Sequence, residues 1–304
     1  MANRLAIEDL KDILRHEVAL FCQHDRRKWK SEIWKTVNEL RSQKWPAVFF
    51  GGTLRSLLIS RLARNRFGRP RDVDIVLSGI RLNEIKLQFD NYVKRETRFG
   101  GVQLVRKNWQ LDLWPLDQTF ALLGTTNEPH FEDLPGTTFL NVEAIAIDVW
   151  PQSGRGRAIY SGDDQFFKGI ISQTIELNNE DNPFPQLCVA RALVMASDLQ
   201  WKVGPRLLKY VRTHVASLSE SDFEDVQQKH YGSIRLPGAV LARVKEFLLR
   251  PVFYSSIEAI ELPLPKQLKL WSDDNQSPSF RFTVMASANR SHNGKPRQYS
   301  EEDG

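Results

Sequence analysis

Cysteine is nearly missing from this chain: its 304 residues hold only Cys22 and Cys188, far apart in sequence. Such a pair builds no disulfide framework, and a reducing compartment fits it. No apolar run approaches the roughly 18 residues that a membrane span needs. The opening stretch, "MANRLAIEDLKDILRHEVAL", sets acids into its apolar pattern and lacks a signal peptide's layout. The expectation is a cytoplasmic protein with no membrane segment. Gly-x-Ser-x-Gly, Walker and Rossmann patterns are missing, as is any internal repeat. His16, His24, His130, His214, His230 and His292 are scattered without metal-ligand spacing, and the cysteines offer no zinc site.

What is present is an ordinary globular composition, 41% hydrophobic and 26% charged, long enough for one large domain or two modest ones. The net charge of +5 is mild, but its placement is uneven: Arg61, Arg64, Arg66, Arg69 and Arg71 crowd one short segment. Helical spacing marks 5–21 and 29–40, the latter through Trp29, Ile33, Val37 and Leu40. The run "VFF" at 48–50 reads as a strand ending in Gly-Gly, followed by a helix with Leu54, Leu57, Leu58 and Leu62 on its buried face. "VDIVL" at 73–77 is a strand, 82–95 a helix, and 101–106 with 109–114 a hairpin. "FLNVEAIAIDVW" at 139–150 suits either a buried strand or a short helix leading into one. Beyond it, 165–177, 186–200, 204–216, 220–229 and 237–249 all carry helical patterning.

These elements predict an α+β chain in four parts. N-terminal helices occupy 1–45, a mixed-sheet domain 46–162, a mostly helical domain 163–271, and a polar, partly disordered tail 272–304.

Two short stretches carry chemistry. In "FFGGTLRSLL" a strand runs through Gly51 and Gly52 into a helix, which lets backbone N–H groups approach a phosphate. Arg55 falls in that helix's first turn, where the macrodipole disfavours a cation unless an anion lies nearby. It reads as a triphosphate ligand, whose removal leaves the free protein's stability nearly unchanged. In "RPRDVDIVL", Asp72 and Asp74 share one face of a strand, while Val73, Ile75 and Leu77 form the buried face. Neighbouring carboxylates repel unless a cation sits between them, and magnesium is the natural partner. A pair of Mg2+ ions activates an attacking hydroxyl and stabilises a departing pyrophosphate. "NWQLDLWPL" alternates, setting Gln110, Asp112 and Trp114 opposite Trp109, Leu111 and Leu113. A charge in mid-strand is costly unless solvated or paired, so Asp112 becomes the third acid, ahead of Asp117. The basic, tryptophan-bearing "HDRRKWKSEIWK" at 24–35 suits either RNA contact or helix packing.

Taken together, these residues resemble the head domain of polymerase β-type nucleotidyltransferases, above all the class of CCA-adding tRNA nucleotidyltransferases and bacterial poly(A) polymerases. That family reads Gly-Gly-x-x-Arg-Asp, a helix, then Asp-x-Asp. "GGTLRS" keeps both glycines and Arg55 but has Ser56 in place of the aspartate, and the basic linking segment is longer. "TTFLNVEAIAID" resembles the family's "RDFTINALAYD", with Thr138 for its aspartate and Glu143 for its asparagine. "GDDQFFKGIIS" resembles the passage from head to neck, and "RALVMASDLQW" from Arg191 resembles the neck helix. The resemblance covers roughly 45–201, about half the chain.

It implies a magnesium-dependent enzyme moving a nucleoside monophosphate from an NTP, ATP or CTP, to a hydroxyl, most readily an RNA 3′ end such as that of tRNA. Asp72, Asp74 and Asp112 would hold the metals; Gly51, Gly52, Arg55 and Arg191 would bind the nucleotide. The family's Glu-Asp-x-x-Arg motif is replaced by "FPQLC", with Cys188 at the arginine position, which implies a single or loose nucleotide preference. Two alternatives stay open: transfer to a protein or small molecule, and a non-catalytic RNA- or nucleotide-binding module of the same fold.

Overall fold

The structure, a computed structural model, describes residues 6–265 apart from 24–29, 64–69, 71, 98–99, 108, 125–126, 152–155 and 251–257. The tail at 272–304, Trp29 and the basic stretch at 24–29, and Arg64, Arg66, Arg69 and Arg71 lie outside the described residues.

Two helices open the chain, α1 (Ile7–Phe21) and α2 (Lys30–Ser42). Then come β1 (Ala47–Phe50), α3 (Gly52–Leu62), β2 (Val73–Leu77) and α4 (Leu82–Gln88). The strands β3 (Val93–Glu96), β4 (Val102–Arg106), β5 (Trp109–Pro115), β6 (Ala146–Asp148) and β7 (Ile159–Tyr160) complete a seven-stranded sheet. Its order is β3-β4-β5-β2-β1-β6-β7. It is mixed: β2 and β5 run parallel, and every other neighbouring pair is antiparallel. After the sheet come α5 (Gln165–Ser172), β8 (Thr174–Ile175), α6 (Pro185–Leu199), β9 (Lys202–Val203), α7 (Pro205–Val215), α8 (Glu220–Tyr231) and α9 (Gly238–Leu248). None of the described helices is long and apolar enough to cross a membrane.

Strand alternation decides which face is core. Val73, Ile75 and Leu77 of β2, with Trp109, Leu111 and Leu113 of β5, are fully buried beside Leu10, Leu14, Leu54 and Leu58 of α1 and α3. The opposite face carries Val48, Val76 and Ala146 in a small second cluster, and on that face Asp74 and Asp112 stand half-buried. Leu193 and Val211 of the later helices join the main cluster, so the hydrophobic interior is continuous from sheet to helices.

Two expected helices end early, each for a tertiary reason. The helix expected over 82–95 stops at Gln88, and Val93–Glu96 instead pairs with β4 as an edge strand. Lys94, Arg95 and Glu96 are exposed there, and charges are what a sheet edge tolerates. The helix expected over 165–177 stops at Ser172; Gln173 takes φ 52°, and Thr174–Ile175 pairs in parallel with β9. The ambiguous 139–150 resolves as a 3-10 turn, Asn141–Glu143, leading into β6.

That turn is fastened by Asn141, which is 4% exposed. Its Nδ2 donates to the Thr174 carbonyl at 3.1 Å, and its Oδ1 accepts from the Glu176 N–H at 2.8 Å. α5 lies so close that a Cβ on Gly169 would stand 2.5 Å from the Asn141 Nδ2, which is why glycine occupies that position. Asn141→Ala should strand both backbone partners and destabilise the protein by about 2–4 kcal/mol, read by chemical denaturation.

Candidate active site

The chain from β1 into α3 forms the floor of the site. Gly51 adopts φ 60° and ψ −122°, a conformation closed to residues with a side chain, and its N–H donates to the Ile145 carbonyl at 3.0 Å. Thr53, on the next turn, ties this floor to the acidic strand. Its hydroxyl accepts from the Asp74 N–H at 3.0 Å and donates to the Asp72 carbonyl at 3.4 Å. Ser56, standing at the aspartate position of the resembling motif, bonds back to the Gly52 carbonyl at 2.9 Å.

The parallel register sets Asp74 directly beside Asp112. From the other side, Gln103 Nε2 of β4 donates to Asp112 Oδ1 at 3.0 Å. Burial pushes the Asp112 carboxyl above its usual range and the Asp72 charge adds to that rise, against the lowering hydrogen bond from Gln103. The donors gathered here are carboxylate oxygens, which suit a hard divalent cation. Among the described residues no group of three His, Cys, Asp and Glu is placed to hold a metal by itself. Magnesium does not demand one: it retains waters and is commonly bound by one or two carboxylates together with substrate phosphates. The residues therefore fit that ion as a site completed by a phosphorylated ligand.

The arginines are already engaged. Arg55 Nη1 donates to Glu143 Oε1 at 2.7 Å, and Arg191 Nη2 of α6 donates to Glu143 Oε2 at 2.6 Å. Burial alone would raise the Glu143 pKa, but Arg191 and Arg55 outweigh it and hold the carboxyl down at about 2. The expectation that Arg55 waits for a ligand to offset the helix dipole is thereby corrected: Glu143 is the anion. Arg61, one of the five clustered arginines, faces α1 and pairs with Glu17 at 3.3 Å.

Gly51, Gly52, Arg55, Asp72, Asp74, Asp112 and Arg191 all line one cleft of about 760 Å³ between the sheet and the later helices. Its far wall holds Asp198 of α6 and Arg235, joined at 2.6 Å, beside His230 and Tyr231. Cys188 is buried, its thiol pushed by burial up to about 11, and it does not line the cleft. Thr53, Gln103, Glu143, Asp198 and Arg235 escaped the sequence reading as site residues. Only Glu143 left a signal, standing where the resembling motif has asparagine.

Two outcomes follow from the buried carboxylate. Because its folded pKa lies below the unfolded value, its stabilising contribution is complete above about pH 4.5 and is lost as pH falls toward 2. Acid titration of wild type against Glu143→Gln should isolate a contribution on the order of 3 kcal/mol that disappears across that window. Arg55→Ala removes one of the two partners of a buried charge, so it should destabilise the ligand-free protein by about 1–3 kcal/mol in thermal or urea unfolding.

No family model and no curated protein matches the chain. Solved structures do. The structure described as CCA-adding enzyme apo form I aligns over 76% of this chain and 53% of its own, at 14% identity and a TM-score of 0.54. The Thermotoga maritima CCA-adding enzyme complexed with tRNA aligns over 71% of this chain and 50% of its own, at 13% identity and a TM-score of 0.50. The chain thus spans about half the length of the solved structures it matches. With its mixed sheet and helical second half, the chain shares the α+β fold of these two solved structures, a likeness of architecture at low identity.

Proposed function

We propose that this protein is a nucleotidyltransferase, moving a nucleoside monophosphate from an NTP to an acceptor hydroxyl, with an RNA 3′ end such as that of tRNA as the acceptor. The observation that carries this reading is the convergence in one cleft of the Gly51–Gly52 turn, the Arg55 and Arg191 guanidiniums and the Asp72, Asp74 and Asp112 carboxylates. Residues 46–162 act as the catalytic head, and residues between Asp181 and Arg235 line the cleft from the neck side.

The chain's own groups divide the work. The turn and the two arginines bind and orient the triphosphate, leaving its α-phosphorus facing the carboxylates. In this reading the acceptor hydroxyl approaches on the side of Asp72 and Asp74, which line the same cleft. Asp112, beside Asp74 in the parallel register, would complete the acidic set on that side of the cleft. Magnesium held by these acids would supply charge neutralisation at the phosphates and acidify the acceptor hydroxyl. Among the described cleft residues, the carboxylates of Asp72, Asp74, Asp112, Glu143, Asp181 and Asp198 outnumber the guanidiniums of Arg55, Arg95, Arg191 and Arg235. A polyanionic nucleotide therefore enters a wall of its own sign, and its affinity should fall sharply when EDTA removes divalent cations.

The deciding experiment incubates the protein with total RNA, Mg2+ and each labelled NTP in turn. Asp72→Ala combined with Asp74→Ala should lower transfer by at least about a thousandfold, the several kcal/mol that electrostatic stabilisation supplies. Folding of the double variant is checked by its unchanged circular dichroism. Transfer at the wild-type rate rejects the site, and no transfer by wild type with any NTP favours the non-catalytic binding module. With Cys188 buried outside the cleft, sequencing of the extended RNA ends should show one nucleotide or a loose mixture in place of an ordered C-C-A.

A further inference from the structure

Glu143 reaches the cleft between the two arginines. Its carboxylate is divided, one oxygen to Arg55 and the other to Arg191, at 2.7 and 2.6 Å. A guanidinium carries five N–H donors in a rigid fork, so a contact to Glu143 restricts the directions in which the others point. For Arg55 the guanidinium lies over the glycine turn: a Cβ on Gly52 would stand 3.4 Å from its Nη2. The backbone of Glu143 is registered on the same turn. Its carbonyl would lie 3.8 Å from a Cβ on Gly51, and the next carbonyl but one, that of Ile145, accepts the Gly51 N–H. On its other side the segment is held by Asn141, bonded to the Thr174 carbonyl and the Glu176 N–H. Glu143 is thus placed by backbone on both flanks, and in turn places two cations that would otherwise repel one another.

We propose that Glu143 is the positioning residue of the phosphate site, making Arg55 and Arg191 one unit that grips a polyphosphate chain lying on the Gly51–Gly52 turn. This rests on the nucleotidyl-transfer reading and extends it to a residue outside the acidic and glycine motifs. The competing role for such a carboxylate, an internal anion that keeps phosphate off the arginines, predicts the opposite sign in the same experiment.

The probes are inorganic phosphate, pyrophosphate and tripolyphosphate, which remove any dependence on the base. Each is titrated calorimetrically into wild type and Glu143→Gln at fixed salt and fixed Mg2+. Wild-type affinity should climb with each added phosphate. In Glu143→Gln the climb should flatten, with tripolyphosphate losing about tenfold or more, as when other outer-shell orienting groups are removed, and phosphate changing little. A merely structural role would weaken all three probes together. Should Glu143→Gln fail to fold, Glu143→Asp keeps the charge but is one methylene too short to span both arginines, and the same flattening is expected. An unchanged climb, or tighter tripolyphosphate binding, overturns the role of Glu143 while leaving the nucleotidyl-transfer reading intact. A wild-type protein indifferent to phosphate number overturns both.

Discussion

One carboxylate between two guanidiniums holds the working parts of this molecule in register. Arg55 belongs to the helix that leaves the sheet, Arg191 to the helix that forms the opposite wall, and Glu143 to the turn between them in sequence. Burying a lone glutamate is costly, and the two cations reverse that cost so completely that the acid becomes harder to protonate than in water. Removing any member leaves the others buried and mismatched. The orientation of both arginines in the cleft is therefore tied to the same contact.

The acidic side depends on a different constraint, the register of β2 against β5, the one parallel pair in the seven-stranded sheet. In a parallel ladder, residues in register project to the same face at the same height, so Asp74 and Asp112 stand side by side. An antiparallel neighbour, β4, then supplies Gln103 opposite Asp112 as a neutral donor. The sheet order, with β5 and β1 flanking β2, puts these acids at its centre, where flanking strands keep the backbone stiff.

Much of this was legible in the chain. Apolar runs marked β1 and β2, alternation marked β5 of the β4–β5 hairpin, and helical periodicity marked the five later helices. The seven residues singled out by their chemistry line one cleft. What periodicity could not show were contacts made at long range. Val93–Glu96 carries charges that read as helix until β4 pairs with it, and Thr174–Ile175 needs β9 to become a strand. The partner of Arg55 was hidden for the same reason. Local electrostatics pointed to a missing anion near the helix start, and the sequence contains nothing adjacent to say that Glu143 supplies it. The pairing of Asp198 with Arg235 across the helical wall left no local trace at all.

Thr53 has a wider implication. By joining the carbonyl of Asp72 to the amide of Asp74, its hydroxyl ties the helix that follows the glycine turn to the start of the acidic strand. On the opposite side of the cleft, α6 carries Asp198, paired with Arg235, and Arg191, paired with Glu143. If the proposed function holds, a substitution at Asp198 or Arg235 could alter which base is admitted while Thr53 still ties the glycine turn to the acidic strand.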